Sequence, residues 1–489
     1  MQRRSMLFSA AVMAAMGSVS SAVFASADRT MTVVVCVVGA AAGGISAGMA
    51  AVDAGLKTVI LEKLAVIGGG GNYMEGTFAV GSRLQIKDNV GLTVEKQFKR
   101  VMDFHHWRIN GKALNNWLKQ TAETIDWLER HGIKFEGVHT AFIDGSRTWH
   151  MFEGGHGSSL IIDKSGAVTG VLARDEDGRT LAINAKAVIT ATGGFSCNPE
   201  MLKKYLPYPG YESAGSPGRT GDGIQMLEKA GAELVHMNVT MQAGLWLKGV
   251  PTEEQFGKDG LTSAKYVRLL AALFQPYLKV SPRGDRFADE TLPLEYISNA
   301  AEEVGGEAFA VFDDDTRREM IEKGLPRGYF DMMAPGAKFT NFDALFAEGV
   351  KKGFCFKAGS IRELAKQTGM DPERLKKAVD RMNAMTDNRK DDEYYKDPQW
   401  LRYDKKGPFY AIKGSLRTYA TVGGANVNEH FQPLTADGRV IKGLYAIGQD
   451  AGGLYSDSYD MHIAEGTASS WAINGGCLAV EHIRTVLKK

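Results

Sequence analysis

The residues best spaced for chemistry begin at Gly39-Ala40-Ala41-Ala42-Gly43-Gly44. A dinucleotide-binding turn needs a tight bend at its first glycine, close backbone approach at the third position and close helix–strand packing at the sixth. The amides at the start of the following helix then face a pyrophosphate. The third position here is Ala41, whose methyl group intrudes where the pyrophosphate comes closest. Glu62 ends the next apolar run, where a carboxylate accepts from both ribose hydroxyls. His150, His156, His236 and His462 are scattered, and no pair has metal-ligand spacing, so each reads as structural and no metal is expected. The cysteines at 36, 197, 355 and 477 form no CxxC, zinc knuckle or CxxCH pattern.

These residues need a scaffold that brings backbone close to a large ligand. Met31 to Val38 is a continuous β-branched run, the mark of a strand buried on both faces of a parallel sheet. A small-residue helix to Ala54, a C-capping Gly55 and a second apolar strand from Lys57 to Leu61 complete a βαβ unit. Residues 86–131 read as helical, with Leu114, Trp117, Ile125 and Leu128 as an apolar stripe. From 159 to 192 short strands alternate with turns at Lys164-Ser165-Gly166 and Asp177-Gly178, ending in the buried strand Ala187–Ala191. A mixed middle region, 240–404, contains a helix starting at Asp371-Pro372-Glu373. Gly443 to Gly448 then returns to the strand-and-glycine style of the beginning. Like ends around a different middle predict an α/β fold: a discontinuous Rossmann-like domain (28–239 and 405–489) with an inserted α+β clamp or capping domain (240–404).

Composition narrows the function. Of 489 residues, 44% are hydrophobic and 14 are proline, so the bulk of the chain must bury a core. The 58 basic and 57 acidic residues leave +1, which gives no footing for nucleic-acid binding. The 57 glycines exceed the usual share of about 7%, as expected of backbone packed against a ligand. Residues 1–27 read as an export signal: Arg3-Arg4 precedes an apolar stretch, and Ala25-Ser26-Ala27 fits a signal-peptidase site. The arginine pair resembles a twin-arginine signal; an ordinary secretory signal and an uncleaved anchor are the alternatives. No later run approaches ~18 apolar residues, so no integral membrane span is expected.

The chain resembles the soluble fumarate reductase-like flavoproteins, which include flavocytochrome c fumarate reductases and ketosteroid dehydrogenase relatives. The carriers are GAAAGG at 39–44, EK at 62–63, GGGGNYMEG at 68–76, ATGG at 191–194, TGDG at 220–223, GDRFADE at 284–290, GPFYAI at 407–412, TVGG at 421–424 and GLYAIGQDAGG at 443–453. The resemblance implies FAD, held by Gly39, Ala41, Gly43, Gly44, Glu62, Lys63, Gly69, Gly71, Asn72, Gly76, Thr192, Gly193, Asp222, Gly448, Gln449, Gly466 and Thr467. It is expected to be non-covalent, because residues 68–81 lack the histidine used for a covalent link. Between Gly157 and Gly166 the chain is shorter than its relatives, at a strand that frames the adenosine half of the cofactor.

By the same resemblance the reaction is reduction of an activated carbon–carbon double bond (enoate or enone), with a hydride from flavin N5 and a proton from Arg286. An arginine is not normally deprotonated, so the role needs flanking acids such as Glu290; electrostatic support of an enolate is the compatible second role, and an ordinary loop arginine the bland one. Tyr459 completes the implied catalytic set. Fumarate reductases clamp a diacid with two histidines and a second arginine. Gly244, the Tyr419-Ala420 pair and Tyr459 stand in those stretches, and Gly424, Trp246 and Tyr455 line the same ones. Arg417 could take a single carboxylate. A bulkier, less charged acceptor than fumarate is therefore expected, with electrons from a separate cytochrome or flavoprotein. The reverse dehydrogenase reaction, as on a ketosteroid, and a flavin-binding protein without turnover are the alternatives.

Overall fold

The computed structural model describes residues 27–140, 145–152, 170–174, 179–208, 210–242, 244–256, 264–329 and 333–488. The leader up to 26, the shortened connection at 157–166 and the turns at 164–166 and 177–178 lie outside the described residues.

The chain divides into two compact units. The first comprises Met1–Leu206, Gly215–Met241 and Tyr419–Lys489. Its centre is a five-stranded sheet. Strand β1 (Arg29–Val38) pairs in parallel with β2 (Thr58–Leu61) on one side and with Thr180–Thr190 on the other. Leu444–Ala446 extends the parallel order next to Thr180–Thr190, while Gly170–Arg174 adds an antiparallel strand. Val35, Cys36 and Val37 are fully buried, as a strand covered on both faces requires.

Helix α1 (Ala42–Asp53) crosses from β1 to β2 and packs on the helix Thr467–Leu487. Small residues set that contact: a Cβ on Gly476 would lie 2.7 Å from the Ala47 amide, and one on Gly43 would lie 3.1 Å from the Ala472 carbonyl oxygen. The expected helical stretch 86–131 is interrupted. It forms helices Val94–Phe104 and Gly111–Arg130, because His106 and Trp107 take positive φ and Asn110 caps the second helix by accepting from the Ala113 amide at 3.1 Å. Leu114, Trp117, Ile125 and Leu128 are buried.

The second unit comprises Pro207–Ala214 and Gln242–Thr418. Its six-stranded sheet runs in the order Leu245–Leu247, Phe409–Thr418, Glu307–Phe312, Leu278–Val280, with Cys355–Ala358 and Glu212–Ser213 also on Phe409–Thr418. The helix Pro372–Asp387 starts at the Asp371 cap, whose side chain accepts from the amides of Glu373 and Arg374. The expected return to the first domain at 405 moves to Tyr419. Phe409–Thr418 pairs with three strands of the middle region and cannot leave it without opening that sheet. Among the described residues no helix is long and apolar enough to cross a membrane.

Candidate functional site

In the first unit, Gly39, Glu62 and Thr192 follow the carboxyl ends of β1, β2 and Thr180–Thr190. Gly39 turns at φ +106, where a Cβ would be driven into the Ala191 carbonyl. A Cβ on Gly44 would be driven into the Gly39 carbonyl. Ala41 is the N-cap of α1, with no side-chain cap bond and no acidic residue in the first turn, so the start of α1 is not capped by its own residues. Gly69 and Gly71 press against Ala41 and Ala42, and the Asn72 amide donates to the Ile67 carbonyl at 3.2 Å. Glu62 accepts from the amides of Ala40 (2.8 Å) and Leu64 (2.9 Å). An ionised carboxylate has acceptor sites beyond two, which leaves capacity for ribose hydroxyls.

Lys63 bonds to Thr220 and Asp222. The buried Asp450 carboxylate accepts from the amides of Thr192 (2.7 Å) and Gly194 (3.2 Å) and from the Thr192 hydroxyl (3.0 Å). Arg219, which the sequence reading missed, spans this cradle. Its guanidinium donates to the Tyr419 carbonyl and occupies the space over Gly70, while its stem passes Gly193. Its position one residue before the TGDG run was the available signal. Gly43 and Gly448 pack against Ala472, and Gln449 lies beside Gly194. A Cβ on Gly76 would meet the His150 carbonyl, one on Gly466 would crowd the Phe78 amide, and Thr467 is bonded to Tyr455 and Asp460.

The expected reacting residues divide between the units. Tyr419, Gly424, Tyr455 and Tyr459 belong to the first; Gly244, Trp246, Arg286, Glu290 and Arg417 belong to the second. Tyr455 and Tyr459 are buried with ring centroids 5.3 Å apart. Gly424 meets the Asp450 carbonyl, and Gly244 at φ +81 lies against the Phe274 ring. Arg417 is paired with Glu212 at 2.7 Å and stands 5.8 Å from the Trp246 ring.

Arg286 departs from expectation. Its side chain is 3% exposed and closed in from two sides. Nε and Nη2 donate to Glu290 at 2.9 and 3.1 Å, and Nη1 and Nη2 donate to Asp391 at 3.0 and 2.6 Å. Lys396 adds a bond to Glu290 at 2.9 Å, and the Tyr394 ring stacks 4.9 Å from the guanidinium carbon. Burial favours a neutral arginine, but the Asp391 and Glu290 bonds outweigh it and hold the proton more tightly than usual. Burial likewise pushes Glu290 up, and the Lys396 and Arg286 cations bring it below the ordinary range. A guanidinium so clamped is a poor acid and presents little surface, which weighs against the expected catalytic roles of Arg286 and Glu290. Asp391 and Lys396 lie over a hundred residues along the chain, with no local signal to mark them.

A family profile described as an FAD binding domain matches residues 34–159 and 150–462, and the chain belongs to this family. It is 31% identical to a vinyl phenol reductase of Lactiplantibacillus plantarum over 477 residues, 90% of this chain and 94% of that protein. It is 28% identical to a urocanate reductase of Eggerthella lenta, over 86% of this chain and 70% of that one. The 3-ketosteroid Δ1-dehydrogenase of Sterolibacterium denitrificans shares the fold, with a TM-score of 0.71 at 19% identity, covering 93% of this chain and all of that one. The cradle fits FAD on its own terms. The uncapped start of α1 suits a diphosphate, Glu62 suits a ribose, and the Arg219 guanidinium brings positive charge.

The clamp predicts a stability effect. Glu290→Gln leaves two buried cations with one carboxylate fewer, which costs about 3–5 kcal/mol. Chemical denaturation of the holoprotein should show it; a loss under about 0.5 kcal/mol would contradict a structural clamp. Because Glu290 is held low, its contribution is fully present above roughly pH 5 and fades as pH falls through its folded value.

Proposed function

We propose that this chain reduces an activated carbon–carbon double bond in an aryl-substituted or otherwise bulky acceptor of low charge. Bound FAD supplies the hydride chemistry; the chain holds it, excludes water and provides a proton. The similarity to a vinyl phenol reductase along nearly the whole of both chains carries the reading. Arg417 supports it, because its charge is spent on Glu212. By the family resemblance, Gly244, Tyr419 and Tyr459 fall in the sequence stretches where fumarate reductases carry the cations that clamp a diacid. With Arg286 clamped, the tyrosine pair Tyr455 and Tyr459 is the better source of the proton. Burial holds the Tyr455 hydroxyl well above the ordinary tyrosine range, so it stays protonated at neutral pH and can protonate a strongly basic carbanion before being recharged from solvent.

Three further parts belong to the proposal. FAD is bound non-covalently, and acid precipitation should release it. Electrons come from a separate cytochrome or flavoprotein, since the four cysteines stand singly and no CxxCH is present. The leader directs export of the folded protein by the twin-arginine route; changing Arg3 and Arg4 to Lys should leave precursor inside the cell, and normal export of that variant would argue for the ordinary route.

The substrate class is tested with reduced methyl viologen as donor and 4-vinylphenol, cinnamate, cyclohexenone and fumarate as acceptors. Fumarate should have the lowest kcat/KM by at least about tenfold, a ~1.4 kcal/mol difference in transition-state binding. Fumarate within tenfold of the best acceptor would overturn the reading.

A further inference from the structure

The first unit contains a chain of polar side chains running from the surface to Tyr455. The Tyr455 hydroxyl bonds to Thr467 Oγ1 at 3.0 Å, and Thr467 Oγ1 donates to Asp460 Oδ1 at 2.7 Å. Asp460 Oδ2 lies 3.8 Å from His105 Nε2. His105 Nδ1 is 3.2 Å from Ser456 Oγ, which donates to Asp457 Oδ1 at 2.9 Å. Asp460, Thr467 and His105 are fully buried, whereas the Asp457 side chain is 49% exposed.

Two features of this chain bear on its use. His105 Nε2 and Asp460 Oδ2 are buried and face each other, yet neither has a hydrogen-bond partner among the described residues. Burying an unsatisfied polar atom costs about 1–3 kcal/mol. A single water, or a shift of less than an ångström, would close the gap and make the path continuous. The second feature is its composition: a hydroxyl, a carboxylate, an imidazole and a hydroxyl alternate, and each can accept a proton on one side as it releases one on the other. Three further titratable side chains face this segment: His236, bonded to the Ser456 backbone and repelling a charge on His105, His106 at 3.9 Å from Asp457, and Tyr459 against the Tyr455 ring.

We propose that Asp457, Ser456, His105, Asp460 and Thr467 form a proton wire that recharges Tyr455 from solvent. This rests on the reading above, in which the tyrosine pair protonates the substrate. In each reduction one carbon takes a hydride, and the other takes a proton from the Tyr455 hydroxyl. The resulting phenolate takes the proton of the Thr467 hydroxyl as the Tyr455–Thr467–Asp460 hydrogen bonds reverse direction, and Thr467 takes one from Asp460, which holds a proton for this step. Asp460 is restored from His105 across the closed gap, and His105 through Ser456 from Asp457 and water. One proton enters at the surface for each one delivered, and no electrons move along the wire. Run backwards, the same wire drains the proton from a dehydrogenation.

The wire residues act through Tyr455, so their loss should slow proton delivery without weakening substrate binding. Holoenzymes carrying Asp460→Asn, His105→Gln and Asp457→Asn are compared with the parent, using reduced methyl viologen and the best acceptor of the panel, in H2O and D2O. Asp460→Asn should lower kcat by about 30-fold or more, in the range of a lost acid–base group. Its KM should stay within about threefold and its solvent isotope effect on kcat should rise above the parent's. His105→Gln should behave likewise, and the surface Asp457→Asn should show the same isotope signature with a smaller loss of kcat. Unchanged kcat in Asp460→Asn and His105→Gln would overturn the wire. So would a lower kcat with the parent's isotope effect, which is what a merely structural role would give. If the buried variants lose flavin, Asp457→Asn decides by the same isotope criterion. A parent that reduces no acceptor would overturn the reading of function and the wire with it.

Discussion

Asp450 ties the first unit together. Its carboxylate, fully buried, collects the Thr192 amide, the Thr192 hydroxyl and the Gly194 amide from a segment more than 250 residues earlier. The Thr192 hydroxyl in turn accepts from the Gly223 amide at 3.0 Å. One side chain thus joins the turn after Thr180–Thr190, the start of the helix Asp222–Lys229 and the segment after Leu444–Ala446. Burial raises the Asp450 carboxyl against the pull of those bonds. The cofactor cradle is built on these three segments and on the Gly39 turn beside them.

Close backbone contact governs the rest of that unit. Gly39, Gly44, Gly194 and Gly424 each sit where a Cβ would meet a neighbouring carbonyl or side chain. These contacts let four chain segments approach one another closely. The second unit is organised differently, by charge. Arg286, Glu290, Asp391 and Lys396 close a buried network around a loop and the far end of the helix Pro372–Asp387. Such a network brings specificity of conformation at the expense of desolvation.

The βαβ opening, the Asp371 cap and the buried strand after 180 were legible because their signals are local: an apolar run, a capping residue, a glycine at a forced φ. The break at His105–Asn110 was not legible, since the apolar periodicity continues across it and only the positive φ of His106 and Trp107 interrupts the helix. The extent of the second unit was missed for a related reason. Phe409–Thr418 reads as one more apolar strand, and only its partners show where it belongs. Within the site, the glycine motifs and Glu62 fell together as motif chemistry requires. Arg286 looked reactive because its partners Asp391 and Lys396 are remote in sequence. Asp460 and His105 carried no motif at all; their meaning is the 3.8 Å between two buried atoms.

The central claim is that this chain passes a hydride from bound FAD to an uncharged or singly charged alkene. The direct test is a single anaerobic turnover. The purified holoprotein is reduced with one equivalent of dithionite and mixed with 4-vinylphenol or cinnamate while flavin absorbance is followed. The account predicts full return of oxidised flavin with one equivalent of saturated product per flavin. Flavin that stays reduced with these acceptors but is reoxidised by fumarate, or protein that retains no flavin, would contradict it.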